Sequence, residues 1–209
     1  MVWEQLYDQT ERLWEPAEIC WFHATRILPT VDFSANGILP VSALADSIWA
    51  MLRSIDPAPP TEGEWLEFRA LVEKGALGDC SRLYGIKMKQ PGPFAFLIRE
   101  ELDHLDESGS VNYLRCPETV EDICICYEQT FGRPLLPAFL TSTRPCIVKF
   151  ADPRPESVMG VVAFYLYRHA RGLPAFRCNT CLDSRGAPIS PDQILDVEWL
   201  PRTTGLKRG

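Results

Sequence analysis

Phe22-His23-Ala24-Thr25-Arg26 is the segment of this 209-residue chain whose residue types and spacing suit chemistry best. It lies in an apolar run, Ile19 to Ile27, that reads as a largely buried strand. On a strand, residues i and i+2 face one side, so His23 and Thr25 project together while Phe22 and Ala24 face the core. An imidazole and a hydroxyl can each donate and accept hydrogen bonds, a pair suited to holding a ribose or a carboxamide. Arg26 projects to the opposite side unless the strand ends or bulges there. The same residues also describe a core histidine satisfied by a backbone carbonyl, beside a threonine present for its β-propensity. On residue types alone that plainer reading leads.

The cysteines offer less. Cys178-Asn179-Thr180-Cys181 has the spacing of half a zinc site, but no second such pair and no histidine pair follows it, so two ordinary thiols are the expectation and no metal is assigned. Cys20 precedes His23 by three residues, and on one strand the two point to opposite faces, which removes a Cys–His nucleophile. Cys20, Cys124, Cys126 and Cys146 sit in apolar runs, as small buried hydrophobes do.

The elements that must position these groups follow from the pattern of apolar residues. Trp3, Leu6, Tyr7, Leu13 and Trp14 repeat at helical spacing, and Pro16 ends that helix. After the strand, Pro29 to Gly37 reads as a turn or short helical element. Val41, Leu44, Ala45, Ile48, Trp49 and Leu52 give a second helix an apolar stripe, and Trp65 to Lys74 gives a third. Phe94 to Ile98 and Val111 to Arg115 read as strands on either side of an acidic turn, Asp103 to Ser110. Pro117 opens a helix through Val120, Ile123, Cys124, Tyr127 and Phe131. Cys146 to Phe150, Val158 to Tyr167, Phe176 to Cys181 and Ile194 to Leu200 read as strands. Helices first and strands later, with little βαβ alternation, predict an α+β fold on a mixed or mostly antiparallel sheet, its helices concentrated in the N-terminal half. No glycine-rich phosphate loop is present.

A hydrophobic share of 46%, with 6 Trp, 10 Phe and 6 Tyr, supplies a core and excludes disorder over most of the chain. Residues 1–209 are expected to form a single domain, with residues 1–16 as an N-terminal helix and 201–209 as a flexible tail. The net charge of -7 opposes sequence-independent coating of nucleic acid, which needs surplus Lys and Arg. Glu4, Asp8 and Glu11 stand where a secretory signal would be basic and then apolar, and no apolar run is long enough to span a bilayer. A cytoplasmic protein whose cysteines are thiols is the expectation.

Two segments resemble a known family. FHATR, followed by Phe33, Asn36-Gly37-Ile38-Leu39-Pro40 and an amphipathic helix, resembles the opening of the ADP-ribosyltransferase superfamily over residues 20–52. There an aromatic-His-x-Thr strand leads to a turn, a Gly-apolar step and a helix. The ending Gly186-Ala187-Pro188-Ile189 through Ile194 to Leu200 is a weaker echo of the family's closing turn and strand. The resemblance implies an enzyme that takes NAD as substrate, cleaves the nicotinamide–ribose bond and transfers ADP-ribose to a macromolecule, protein or nucleic acid. It also implies a bacterial toxin, effector or defence setting and an inhibitory partner protein. His23 and Thr25 would position NAD, and Arg26 would contact its phosphates.

Cleaving that bond builds oxocarbenium character on the ribose, which a nearby carboxylate stabilises. The family supplies a Glu on a late strand, whereas Phe176 to Cys181 carries only Asn179. Candidates are therefore Glu118, Glu121 and Asp122, then Glu100 and Glu101, then Glu198. Glu118 ranks first as the catalytic partner of His23, although an acidic residue just inside a helix N-terminus also answers to the macrodipole. Glu100, Glu101 and His104 read as solvated, and Glu198 as facing away from the apolar side of its strand. Tyr84, Tyr113 and Tyr127 compete for the family's middle motif.

Overall fold

A computed structural model describes residues 19–78, 92–104, 112–152, 158–173 and 181–202. The residues of the expected N-terminal helix, Tyr84, most of Phe176 to Cys181 and the chain's last residues lie outside these. The fold is α+β. Its strands are β1 (Ile19–Ile27), β2 (Phe94–Phe96), β3 (Arg144–Asp152), β4 (Cys181–Asp183) and β5 (Ile194–Trp199). They form one open sheet in the order β4-β2-β1-β3-β5, with every described pairing antiparallel. The α-helices are α1 (Phe33–Asn36), α2 (Val41–Ile55), α3 (Glu62–Glu73), α4 (Glu118–Phe131), α5 (Leu136–Ser142) and α6 (Met159–Ala170). Among the described residues every α-helix but α6 precedes β3, and three of the five strands come after α5.

Each boundary has a local cause. Asp32 caps α1 by accepting from the backbone N–H of Ser34 and Ala35. Thr61 and Glu64 form a reciprocal capping box at the start of α3. Gly132 ends α4 in the left-handed conformation that glycine adopts without strain.

Helices α2 to α5 share a core built on Trp49, Trp65, Phe68, Ile123, Tyr127 and Phe139, all nearly or fully buried. Trp49 and Phe68 meet edge to face, as do Phe68 and Tyr127. Tyr127 donates its hydroxyl hydrogen bond to Asp56 at the end of α2, and Arg133 reaches both. Burial and the Asp56 carboxylate push the Tyr127 hydroxyl upward, so it stays protonated as the donor.

One face of the sheet carries Trp21, Cys146, Val148 and Phe150, packed against Phe33, Ile38, Val158 and the Val161, Val162 and Tyr165 side of α6. The other carries Ala24 and Ile147, packed with Leu102, Tyr113 and Leu114.

Three expectations are corrected. Residues 158–167 are not a strand: Val158, Val161, Val162 and Tyr165 fall at i, i+3, i+4 and i+7 and make one face of α6. Residues 113–115 form a turn, not a strand. Cys126 is disulfide-bonded, whereas Cys20, Cys116, Cys124, Cys146 and Cys181 are free thiols. Neither compartment nor an apolar setting says which sulfurs the fold brings together.

Among the described residues no helix is long and apolar enough to cross a membrane.

Candidate functional site

Strand β1 runs through the centre of the sheet, and its register fixes what each side chain meets. Thr25 pairs with Cys146 and through it with Trp199; His23 pairs with Val148 and through it with Val197. His23 and Thr25 therefore share a face, as their spacing predicts. That face is not open: Trp21, Cys146, Val148 and Phe150 on it are fully buried. Both faces of β1 are core, because α6 covers one and Leu102 with Tyr113 the other.

His23 is half-buried, and its Nδ1–H donates to the Phe94 carbonyl at 2.7 Å, a tautomer assigned from that carbonyl partner. This is the bond expected of a satisfied core histidine. It also fixes the ring and leaves Nε2 as an acceptor with no partner among the described residues. Burial lowers the imidazole's pKa and the Phe94 bond raises it, the first being the larger, so the ring is neutral at pH 7. Two residues back on the same face, the buried Trp21 Nε1–H finds no acceptor among the described residues.

Arg26 turns inward. It is 4% exposed, on the Ala24 side of the sheet. Its guanidinium donates to Thr143 Oγ1 at 2.9 Å, to the Leu140 carbonyl at 2.6 Å, and more distantly to the Leu114 and Thr143 carbonyls. These bonds tie β1 to the end of α5 and commit to a structural duty the guanidinium expected on NAD phosphates.

Glu118 opens α4 beside Tyr113, whose hydroxyl is pushed up to about 12 by burial first and then by Glu118. Tyr113 packs on the Ala24 and Ile147 side, so Glu118 and His23 belong to opposite faces of the sheet. The structure does not bring the expected catalytic pair together.

Other carboxylates are committed elsewhere. Glu121 lies 3.7 Å from Arg115. Glu198 takes both prongs of Arg99, at 2.8 and 2.7 Å, while Arg99 also holds Asp103. Glu101 is buried, which corrects its reading as solvated, and burial raises its carboxyl pKa. Tyr127, once a middle-motif candidate, serves the helical core.

The turn after β1 and the segment before β5 meet in space. Ile38 and Ile189 exchange backbone hydrogen bonds, each 2.9 Å long, in an isolated antiparallel bridge. Gly37 makes this possible: at φ +68° it adopts a conformation side chains resist, and an added Cβ would collide with the Ile189 carbonyl oxygen. Beside this bridge, the loop from Pro29 to Ser34 and the Val197 and Trp199 side chains enclose a shallow depression of about 320 Å³. Asp32 lies in its wall. The signal for Asp32 in the sequence is its place just before Phe33 and Ser34, that of a helix cap.

Among the described residues no group of three His, Cys, Asp or Glu side chains is placed to hold a metal. Comparison of the chain with family profiles, with curated proteins and with solved structures finds no match.

Proposed function

We propose that the chain is an NAD-using enzyme of the ADP-ribosyltransferase type, with His23 and Thr25 positioning the nicotinamide side of NAD. One observation carries this reading. The two segments that resemble the family, far apart in sequence, are joined through Gly37, Ile38 and Ile189 next to the strand bearing His23. The fixed imidazole supports it, since a neutral Nε2 acceptor suits a ribose hydroxyl or a carboxamide N–H. Glu118 is a weak catalytic candidate in this reading, because it lies across the sheet from His23.

The second reading is a non-catalytic protein-interaction domain. It is favoured by that same separation and by α6, whose outer side exposes Phe164, Leu166 and Tyr167. Arg168 and Arg171 lie over the Phe164 and Tyr167 rings there.

The test is nicotinamide release from NAD by the purified chain, with cell extract as a source of acceptors. The expected outcome is release by wild type and by Glu118→Gln, with none from a folded His23→Ala protein. Release by His23→Ala would remove the assignment. No release by any protein, with no shift of Tm by NAD, would favour the interaction domain.

A further inference from the structure

The depression at the end of β1 is separate from the His23 platform, since Cys146 and Val148 lie buried between the two. Its volume of about 320 Å³ is at the small end of the range for small-molecule sites. Val31, Phe33 and Val197 supply apolar walls, and Trp199 supplies a half-buried indole. That indole is held in place: the Arg144 guanidinium sits over its ring at 5.5 Å and also donates to the Leu200 carbonyl. Asp32 is held as well. Its Oδ1 accepts from the N–H of Ser34 at 2.9 Å and of Ala35 at 3.3 Å, while Oδ2 bonds nothing among the described residues.

A fixed aromatic platform, apolar walls and a fixed carboxylate acceptor complement a flat ring joined to vicinal hydroxyls. We propose that this depression binds a nucleoside moiety, its base on Trp199 and its ribose diol on Asp32 Oδ2. Carboxylates accept hydroxyl hydrogens well, and aromatic faces stack on any base. An isolated phosphate fits poorly, because it would face the Asp32 charge. The site does not depend on NAD being the substrate of this chain.

Adenosine, AMP and 2′,3′-dideoxyadenosine titrated into the full chain by calorimetry and tryptophan fluorescence test the proposal. Adenosine and AMP are expected to bind, and the dideoxy compound to bind at least about tenfold more weakly, because its charge-assisted bonds to the carboxylate are absent. Asp32→Asn, which still caps α1 but replaces the charged Oδ2 acceptor by an amide N–H, is expected to shrink that discrimination to a few-fold at unchanged Tm. Trp199→Phe is expected to weaken all three ligands together. Absence of adenosine and AMP binding at millimolar concentration, or full discrimination in Asp32→Asn, would overturn the site. NAD cleavage that needs His23 without any adenosine binding would leave the enzymatic reading standing and this one refuted. Asp32-dependent adenosine binding without NAD cleavage would do the reverse.

Discussion

At the scale of single residues, His23 links burial to pH. Its folded-state pKa lies below the ordinary value of 6.5 because desolvation outweighs the bond to Phe94. As pH falls, the unfolded chain takes up this proton first. The stability tied to neutral His23 is therefore intact above about pH 6.5 and declines below it, until the folded-state pKa is passed. Urea midpoints of wild type and His23→Gln at pH 7.5 and 5.5 check this. The wild type should lose more on acidification than the variant, and equal losses would mean His23 is not buried neutral. That this histidine is held by a carbonyl was legible in the residue types. Which carbonyl holds it was not, because Phe94 arrives from a strand 71 residues away.

At the scale of elements, the Gly37 bridge joins the turn after β1 to the segment before β5. Gly37→Ala combines strain in a backbone region reserved for glycine with overlap on Ile189, at a cost of about 3 kcal/mol. Thermal unfolding should show a Tm lower by roughly 10 °C. Gly63 in α3 is the control. A Cβ there meets nothing within 4 Å, so Gly63→Ala should raise stability by up to about 1 kcal/mol. An unchanged Tm in Gly37→Ala would mean the bridge does not form.

Most elements were legible because their apolar spacing is local. β1, α2, α3, α4 and β5 lie where periodicity puts them to within a few residues. Helix α6 is hidden by the β-propensity of Val161, Val162, Phe164 and Tyr165, although the spacing of its buried side is helical. Helix α5, short and opened by Leu136 and Pro137, carries too few turns for a periodic signal. The candidate site was less legible still. Strand periodicity pairs His23 with Thr25 correctly, but nothing local reveals that α6 covers that face or that Arg26 turns inward to Thr143.

At the scale of the whole molecule, Arg26 couples two cores: the helical one, with Trp49 and Trp65, and the sheet, with Trp21. Arg26→Met strips partners from the Leu140 and Thr143 carbonyls, a loss of the order of 3 kcal/mol. In urea the wild type should unfold in one transition, identical by tryptophan fluorescence and by far-UV circular dichroism. The variant should show a lower midpoint and separated transitions. If Arg26→Met keeps wild-type stability while losing affinity for NAD, the residue belongs to ligand binding after all.

The sheet order has a consequence for how the chain is made. β1 is its centre, yet both neighbours are translated later, and 117 residues separate Arg26 from the Thr143 it bonds. At about 5–20 residues per second, the middle strand leaves the ribosome many seconds before β3 exists to cover it. During that interval its Trp21 and Phe22 side chains and its unpaired backbone edges are open to any passing chain. A holdase that keeps nascent strands apart would raise the yield of this protein, and faster translation would shorten the exposure.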